Sequence, residues 1–591
     1  MRNRNEIPQE FKWKLSDIFE TPEAWEARLA ECEAMLPSLA ALKGTLGLSA
    51  ESLYHAYETL YAFEERIDHA GDYAFLGKAL DGGDTAFLAR CDRVQALGVK
   101  AAAATSFFEP ELMAIPEETL AEFMKYPPLA KYAHIIEDST RLKEHVLDEK
   151  SEGILAKIGK IRSTPSSVYK IFTNVEMKLP ETLGEDGKPA ELTAGNFRAF
   201  RESPKKEVRD AAFRAMFGTY GKYNGTFASI YAGQVKQDNL FADLRGYPSA
   251  RAASLAHANV PESVYDSLIS AVHGAVPAME KYLDLRKRAL GLDEIDVYDL
   301  YTPMVKDVEW PMPYEEAQRL VLEAVKPLGP EYVSKIAEAF RANWIDVYET
   351  PGKESGAFSA GVYGVHPFVK LNYADTLDDA FTLAHELGHS MHSYYSSKTQ
   401  DFALHHYQLL VAEVASTVNE VLLTKYLLSR ETDPKRRACV LNNFLEGFRT
   451  TVFRQTLFAE FEYKVHEAEA AGTPLTADFL NGVYADLEKT YYPNAGFRDE
   501  IKYEWSFIPH FYRAFYVYVY ATGFCSAVDI AARIFETGDA SDYLKFHSTG
   551  GSDYPISELK IAGVDLTKPD VVESAMKEFE KTVDELAGLL K

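Results

Sequence analysis

Residues Asp375–Ser397, DTLDDAFTLAHELGHSMHSYYSS, decide both the local fold and the chemistry of this chain. Thr376 followed by Asp379 resembles a capping box, with Asp in place of the usual Glu or Gln, and predicts the start of a helix. Apolar residues then recur at positions i, i+3, i+4 and i+7, which indicates one buried face. The members of this face are Ala380, Leu383, Ala384 and Leu387.

Two histidines on this predicted helix, His385 and His389, lie one turn apart, so both imidazoles leave it on nearly the same side. Two neutral imidazoles on one side suit a zinc ion. Glu386 points about 100° further around the helix, where its carboxylate can take a proton from an attacking water without binding the metal. Gly388 would let substrate or a neighbouring helix come close. The alternative is a chance match, and placement on a capped amphipathic helix argues against it.

A hydrolytic zinc site needs a third protein ligand and one open position. Glu413 and Glu420 follow in the sequence and share one helical face, so one could bind the metal while the other holds a histidine. A solvated acidic face is the alternative. The strongly apolar flanks argue against that alternative, because buried carboxylates are costly unless they are paired or bind a metal. Of the histidines nearby, His392 could support the metal site from behind the ligands, but it is expected to be a structural histidine with satisfied hydrogen bonds. His405 and His406 are expected to be loop or surface residues.

An aromatic run follows His510, with the sequence HFYRAFYVYVYATG over residues 510–523. Peptide hydrolysis passes through an oxyanion, which tyrosine O–H and histidine N–H groups can stabilise. The alternative is a hydrophobic core, since aromatic residues at helical spacing are most often buried.

Most of the remaining chain has helical periodicity, which predicts a mainly α protein. A turn at residues 185–188 indicates a hairpin within Glu181–Leu192. The glycine-rich loop Gly352–Gly364 leads into a short predicted strand within His366–Tyr373, where Pro367 suits a strand start or an edge strand. An edge strand could pair with an extended peptide, or it could have no ligand. The predicted helices are Glu51–Leu80, Asp84–Phe108, Pro261–Leu292, Tyr314–Ala342 and Val571–Leu590.

The length of 591 residues predicts more than one structural unit. We divide the chain into an N-terminal helical lobe, residues 1–190, which includes the hairpin near 181–192, and a catalytic domain, residues 191–591. The formal net charge of −26 argues against nucleic acid as a partner. We find no long apolar stretch for a membrane span and no secretory signal. The four scattered cysteines form no disulfide framework or thiolate zinc motif, and a cytoplasmic protein is predicted.

Several motifs together resemble oligoendopeptidase F, a bacterial branch of the thimet oligopeptidase family. The resemblance includes the zinc motif and the residues that follow it, and it extends from Ile7–Trp13 near the start to a glycine-rich loop near the end. It therefore covers essentially the whole chain. The other motifs are His385–His392, Ala412–Thr417, Ser355–Ser359, His366–Pro367, Leu371–Tyr373 and Gly550–Pro555, together with the aromatic run.

This resemblance implies a two-lobed helical peptidase with a deep central channel and a small β-sheet near the active-site helix. It implies one zinc ion per chain, bound by His385, His389 and Glu413, with Glu386 as general base. It also implies that Glu420 supports a zinc-binding histidine. The expected reaction is cleavage of internal bonds in short, unstructured peptides, since folded chains cannot enter the channel.

The resemblance further implies that a histidine and tyrosines contact the substrate. His510 matches the histidine, and Tyr518 is the first choice for the catalytic tyrosine, with Tyr512 and Tyr516 as rivals. Tyr512 and Tyr516 are also expected to bind substrate. Two more residues, His366 and Gly356, are expected to do so from the loop and strand before the zinc motif. Two other functions fit the same motifs, a zinc carboxypeptidase and a peptide-binding protein without catalysis, although an intact Glu386 argues against the second.

Overall fold

The computed structural model describes residues 2–305, 308 and 310–590. The protein is 71% helical and its sheets are small, which confirms the predicted mainly α class. Within the described part of the chain, no helix combines the length and the apolar character needed to cross a membrane.

Helices form most of both halves of the chain. In the first half they are α1 (Pro22–Ala41), α2 (Ala50–Leu80), α3 (Thr85–Thr105), α4 (Phe108–Ala114), α5 (Glu117–Phe123), α6 (Ala133–Arg141), α7 (Glu149–Arg162), α8 (Thr164–Ile171), α9 (Phe197–Glu202), α10 (Lys206–Lys222), α11 (Asn224–Leu244), α12 (Ala250–Ala256), α13 (Glu262–Gly274) and α14 (Val276–Leu290). In the second half they are α15 (Tyr314–Ala324), α16 (Pro330–Arg341), α17 (Leu377–Thr399), α18 (Leu409–Arg430), α19 (Pro434–Gly447), α20 (Arg454–Ala470), α21 (Ala477–Tyr491), α22 (Tyr518–Thr537), α23 (Ser541–His547), α24 (Pro555–Ile561) and α25 (Asp570–Leu589).

The chain forms two compact units, each built from three separate segments. The first unit contains Met1–Glu144, Trp310–Tyr426 and Ile530–Gly563. The second contains the intervening segments and the C-terminal helix. The predicted boundary at residue 190 divides the chain once, whereas each compact unit combines three separate segments. The compact units therefore do not test the predicted domains, which stay a prediction.

The core of the first unit lies between α1, α2 and α3, where Trp25 and Leu53 are fully buried. A second cluster joins the N-terminal segment to α2 and to a small sheet through Trp13, Leu76 and Phe368. These contacts place the sheet beside a packed helical core.

The sheet of the first unit has three strands, β3 (Ile345–Asp346), β4 (Phe358–Ala360) and β5 (Phe368–Lys370), in the order β3-β5-β4. β5 is parallel to β3 and antiparallel to β4. The predicted strand is therefore present and begins just after Pro367. The prediction that it is an edge strand is wrong, because part of the glycine-rich loop forms β4 and covers it.

In the second unit, β1 (Thr182–Leu183) and β2 (Pro189–Ala190) form the predicted hairpin, with Thr182 opposite Ala190. The single helix predicted from residue 261 to 292 is divided into α13 and α14 at Ala275, just before Pro277. A proline lacks the N–H that a helix interior requires, so the second helix starts anew with proline in its first turn.

Candidate metal centre

Helix α17 begins as its sequence predicts. The Thr376 Oγ1 accepts a hydrogen bond of 3.1 Å from the Asp379 N–H, and the Asp379 carboxylate accepts one of 2.9 Å from the Thr376 N–H. The four residues of the predicted apolar face are at most 1% exposed. With its first turn and one face held in place, the helix fixes the directions of His385 and His389.

Gly388 allows α18 to pack directly against α17. A Cβ atom at this position would lie 2.5 Å from the carbonyl oxygen of Ala415 and 2.6 Å from Cα of Ser416, closer than any side chain could approach. Asn419 of α18 ties the helices together, because its side-chain N–H donates to the Ala384 carbonyl at 3.1 Å. This close approach brings the carboxylates of α18 to the histidines of α17.

The side chains of His385, His389 and Glu413 converge on one point. Their ligand atoms all lie within 4.8 Å of one another. The Oε2 atom of Glu413 is 3.6 Å from the Nε2 of His385 and 3.7 Å from the Nε2 of His389. The two imidazole rings are nearly perpendicular, at 84°. Two imidazoles and a carboxylate in this arrangement can hold one divalent metal ion.

Glu420 binds the other side of His385. Its Oε1 lies 2.5 Å from the His385 Nδ1. Because a carboxylate only accepts, Nδ1 carries the hydrogen, and Nε2 is left to face Glu413. Burial by itself would lower the pKa of His385, but the hydrogen bond and charge of Glu420 raise it to about 9. The two glutamates left as alternatives by the sequence thus have different neighbours in the structure.

His389 has a different environment. Its side chain is 18% exposed, and it makes no contact with Glu420 comparable to that of His385. Burial and the nearby charge of His385 lower the pKa of His389 to about 3. The imidazole of His389 is therefore neutral near pH 7, the state in which its nitrogen can bind a metal.

Glu386 lies beside the convergent side chains and is 6% exposed. Its Oε2 is buried and has no hydrogen-bond partner among the described residues. Burial and the charges of Glu413 and Glu420 raise the pKa of Glu386 to about 7, although His385 and Lys370 act in the opposite direction. A carboxylate without a partner, next to a cluster of metal-ligating atoms, fits a site that contains an ion and a reacting molecule.

Tyr407, in the loop between α17 and α18, also lies at this site and was not predicted. Its hydroxyl is 3.0 Å from the Oγ of Ser393. Burial and the charges of Glu413 and Glu386 raise the pKa of Tyr407 to about 12, against the effect of Ser393. A tyrosine in an irregular loop carries no periodic signal, so the sequence alone does not connect it with the histidines.

The other histidines near the motif do not join the metal-ligating cluster. His392 is fully buried and stacks on Tyr407, with ring centroids 3.7 Å apart. His405 is buried in the loop after α17, where its Nδ1 is 2.5 Å from the Phe402 carbonyl. His406 is 74% exposed. His405 and His406 are in a loop, as predicted. His392 is packed in the core, but neither of its ring nitrogens has a hydrogen-bond partner among the described residues, so the prediction of satisfied hydrogen bonds is wrong.

A glycine-rich loop between α23 and α24 packs against the end of α17. The N–H of Gly551 donates to the Leu404 carbonyl at 2.8 Å, and a Cβ on Gly550 would be only 2.2 Å from the same oxygen. The Ser548 carbonyl accepts from the side chains of Thr399 and Gln400. The two glycines therefore let this loop fix the carboxyl end of the metal-binding helix.

Strand β4 runs beside α17, since the Oγ of Ser359 is 2.8 Å from the Oγ of Ser390. One side of β4 pairs with β5. The other side has no backbone hydrogen-bond partner within the described residues. This is the sheet edge adjacent to the metal-binding helix.

The two substrate-binding residues predicted near the sheet have defined positions. His366 stacks on Trp344, with centroids 4.9 Å apart, and its Nε2 is 3.1 Å from Asp17. Gly356 has φ +75°, and its carbonyl accepts from the Asn372 side chain at 2.9 Å. The positive φ explains glycine at this position, since other residues adopt it at a cost.

His510 and the predicted tyrosines belong to the second unit. The run is not one helix, because a short 3-10 helix, Pro509–Tyr512, is followed by irregular chain until Tyr518. The ring of Tyr516 is parallel to that of His510, with centroids 5.7 Å apart. Tyr518 is 3% exposed, and its ring contacts the buried Tyr265. The Nδ1 of His510 is buried and has no partner among the described residues, and burial lowers the pKa of His510.

Comparisons with known proteins identify the family of this chain. The profile of peptidase family M3 matches residues 199–578, and that of oligopeptidase F matches residues 111–178. Oligopeptidase PepF of Bacillus subtilis is 42% identical over 592 residues, which covers 100% of this chain and 88% of that protein. An oligoendopeptidase F homolog of Lactococcus lactis is 39% identical and covers 100% and 99%.

Solved structures of related proteins are also similar to this chain. A crystal structure of oligoendopeptidase-F from Enterococcus faecium has a TM-score of 0.76 and 35% identity, and covers 96% of this chain and 99% of that chain. A protein from Chlamydophila abortus has a TM-score of 0.92 and 32% identity, with full coverage of both chains. The chain therefore belongs to peptidase family M3, among the oligoendopeptidase F enzymes, and is a metallopeptidase that acts on peptides.

Proposed function

We propose that this protein is a zinc-dependent endopeptidase that cleaves internal bonds of short, unstructured peptides in the cytoplasm. The observation that carries the proposal is the convergence of His385, His389 and Glu413 beside the unpartnered carboxylate of Glu386. One zinc ion per chain would be held by these three ligands.

The donor set supports zinc over magnesium or calcium. Two imidazoles and one carboxylate are typical of catalytic zinc sites, whereas magnesium and calcium prefer oxygen ligands alone. The ligand side chains of His385, His389 and Glu413 are 27%, 18% and 26% exposed, so a substrate can approach them. When bound, zinc supplies Lewis-acid polarisation of a peptide carbonyl and makes water a stronger nucleophile.

Glu386 acts as the general base in this proposal. Its unpartnered Oε2 accepts the proton of the attacking water and then delivers it to the amine that leaves. Glu420 contributes differently, because it holds the Nδ1–H of His385 and so keeps Nε2 directed at the centre.

Peptide binding is supported by the free side of β4. An extended peptide could add to this edge through backbone hydrogen bonds, which suits a peptidase that accepts many sequences. His366 and Gly356, in the same unit, would contact the bound peptide. His510 and Tyr518 would stabilise the carbonyl oxygen as it gains charge, with Tyr512 and Tyr516 as substrate contacts.

Cleavage of an internally quenched peptide blocked at both ends tests this function. We expect cleavage at an internal bond, loss of cleavage with a chelator, and recovery on addition of zinc. A zinc carboxypeptidase would not cut a peptide with a blocked C-terminus, and a binding protein without catalysis would cut none. A ladder of peptide lengths, read by mass spectrometry, would show whether longer chains are excluded.

A further inference from the structure

A small polar cavity, partly open to solvent, lies in the second unit among residues that the peptidase proposal does not use. Its volume is about 20 Å³, which is enough for one water-sized particle. The side chains around it are mainly cationic or aromatic. Those used below are Arg201, Arg449, Arg454, Tyr301, Tyr492 and Glu488.

The arginines around this cavity have too few carboxylate partners. Arg454 pairs with Glu504, with N–O distances of 2.8 and 3.2 Å. Arg449 pairs with Glu446 at 2.6 Å, but Glu446 also accepts a hydrogen bond of 2.9 Å from Arg286. One carboxylate thus serves two buried guanidinium groups.

Arg201 has no carboxylate partner among the described residues, and its buried Nε–H makes no hydrogen bond. Its guanidinium instead lies 3.7 Å from the centre of the Tyr301 ring. Arg449 lies 4.3 Å from the centre of the same ring. Contacts with a ring face offset only part of the cost of removing a full charge from water.

The carboxylates near the cavity do not balance these charges. Glu488 is 4% exposed, and burial together with the charge of Glu504 raises its pKa, which favours the neutral acid. Four guanidinium groups in this region, those of Arg201, Arg286, Arg449 and Arg454, are therefore matched by only two ionised carboxylates, Glu446 and Glu504. The described residues leave an excess of two positive charges in a largely buried region.

Two further observations fit an anion in the cavity. Tyr492 is 3% exposed and lines the cavity, yet its hydroxyl has no hydrogen-bond partner in the described part of the chain. Burial would raise the pKa of Tyr301, but the charges of the arginines Arg454, Arg201 and Arg449 lower it to about 8. A hydroxyl donor without a partner and an excess of positive charge are two features expected of an anion-binding site.

We propose that this cavity binds one halide-sized monovalent anion, chloride under ordinary conditions, between Arg201, Arg454 and the hydroxyl of Tyr492. The anion would accept hydrogen bonds from the Arg201 Nε–H and the Tyr492 hydroxyl, which have no other partner among the described residues, and would neutralise part of the buried charge. A water molecule could occupy the same volume but would not supply the charge. Because only about 20 Å³ is open to a water-sized particle, we commit the site to a small monovalent ion.

Thermal unfolding of the full-length protein tests the site. The protein is dialysed into sodium gluconate, and chloride or bromide then replaces gluconate at constant ionic strength. An anion that binds only the folded state raises Tm as its concentration exceeds Kd. We expect a saturable rise of about 2–4 °C with either halide. An equal Tm in gluconate and in chloride would overturn the proposal.

Two variants and one control link this response to the cavity. Arg201→Gln should abolish the rise in Tm with halide. Tyr492→Phe, which removes only the hydroxyl, should raise the halide concentration needed for half of that rise several-fold. Arg214→Gln is the matched control, because Arg214 is 49% exposed and pairs with Asp210 on the surface of the same unit. Its response should equal that of the unaltered protein, and loss of the response in this control would mean that surface charge is its source.

Crystals grown in bromide give an independent answer that holds even if Arg201→Gln does not fold. Anomalous scattering should show a bromide ion within hydrogen-bond distance of Arg201, Arg454 or the Tyr492 hydroxyl. A cavity that contains no bromide at a saturating concentration would rule the site out.

Discussion

The Nδ1 of His385 lies 2.5 Å from Oε1 of Glu420, while the Nε2 of the same ring faces Glu413 at 3.6 Å. Each nitrogen of one imidazole is therefore assigned to a different glutamate of α18. This relationship separates two carboxylates that are one heptad apart and equivalent by sequence. It gives them different expected effects on metal binding.

Glu413→Ala should lose metal far more severely than Glu420→Ala. Removal of Glu420 leaves all three ligands present, and we expect a loss in zinc affinity of about 10–100-fold. Removal of Glu413 deletes a ligand, so the purified variant should contain little zinc. Metal content and competition with a chelator measure both effects. Glu338→Ala, at a 46% exposed surface position, is the control. The reverse order would show that the third ligand is misassigned.

Glu386→Gln should keep its zinc and lose nearly all turnover. The amide has the same size but cannot accept the proton of water, and loss of a general base costs about 10²–10⁴-fold in rate. The measurements are the rate of cleavage of a blocked peptide and the zinc content of the same sample. Cleavage at the rate of the unaltered protein would show that another group is the base.

Removal of the metal should destabilise the first unit as well as stop cleavage. A ligand that binds only the folded state stabilises it by about 2.7 kcal/mol at a concentration of 100 times Kd. We therefore expect a lower Tm after dialysis against a chelator and recovery with zinc. Glu386→Gln should show the same zinc-dependent Tm, which separates binding from catalysis. A Tm that does not respond to zinc would contradict the proposed ligands.

Gly388→Ala should destabilise the protein, although alanine favours helices. A methyl group would overlap the backbone of Ala415, and overpacking of this kind costs about 1–3 kcal/mol. Gly98→Ala is the matched control, because Gly98 is also inside a helix of the first unit, and no atom lies within 4 Å of its added Cβ. There we expect a gain of up to about 1 kcal/mol. Chemical denaturation measures both, and equal effects would mean that the contact between α17 and α18 is not tight.

Ionisation of the buried Glu558 carboxyl group should lower the free energy of unfolding as the pH rises. The side chain is fully buried, neither of its oxygens has a hydrogen-bond partner among the described residues, and burial raises its pKa from 4.5 to about 8. Its folded pKa lies above the unfolded value, so its contribution is fully present below pH 4.5 and is lost as the pH rises through 8.

Glu558→Gln, which is neutral at every pH, should therefore flatten the fall in the free energy of unfolding between pH 5 and 8.5. Denaturation curves at several pH values measure this difference, with Glu338→Gln as the exposed control. An unchanged pH dependence in Glu558→Gln would show that this carboxyl group does not carry the effect.

The sequence by itself determined α17, because its capping residues, its apolar face and its two histidines all follow from one helical period. It also determined the hairpin, whose turn is local, and the mainly helical class. Local sequence patterns report interactions between residues a few positions apart, and these features depend on little else. The resemblance to oligoendopeptidase F was recognised for the same reason, because each motif that carries it is a short, continuous stretch of sequence.

Tertiary structure alone decided the features that join distant segments. It distinguished Glu413 from Glu420, because helical spacing places both on one face without fixing what each one touches. It placed β5 at the centre of its sheet, since strand order depends on a partner, β4, hidden in a glycine-rich loop. It also assembled Arg201, Arg449 and Arg454 around one cavity from α9, a π-helical segment and the start of α20. Charge balance in a buried cluster is set by neighbours in space, and no spacing along the chain encodes it.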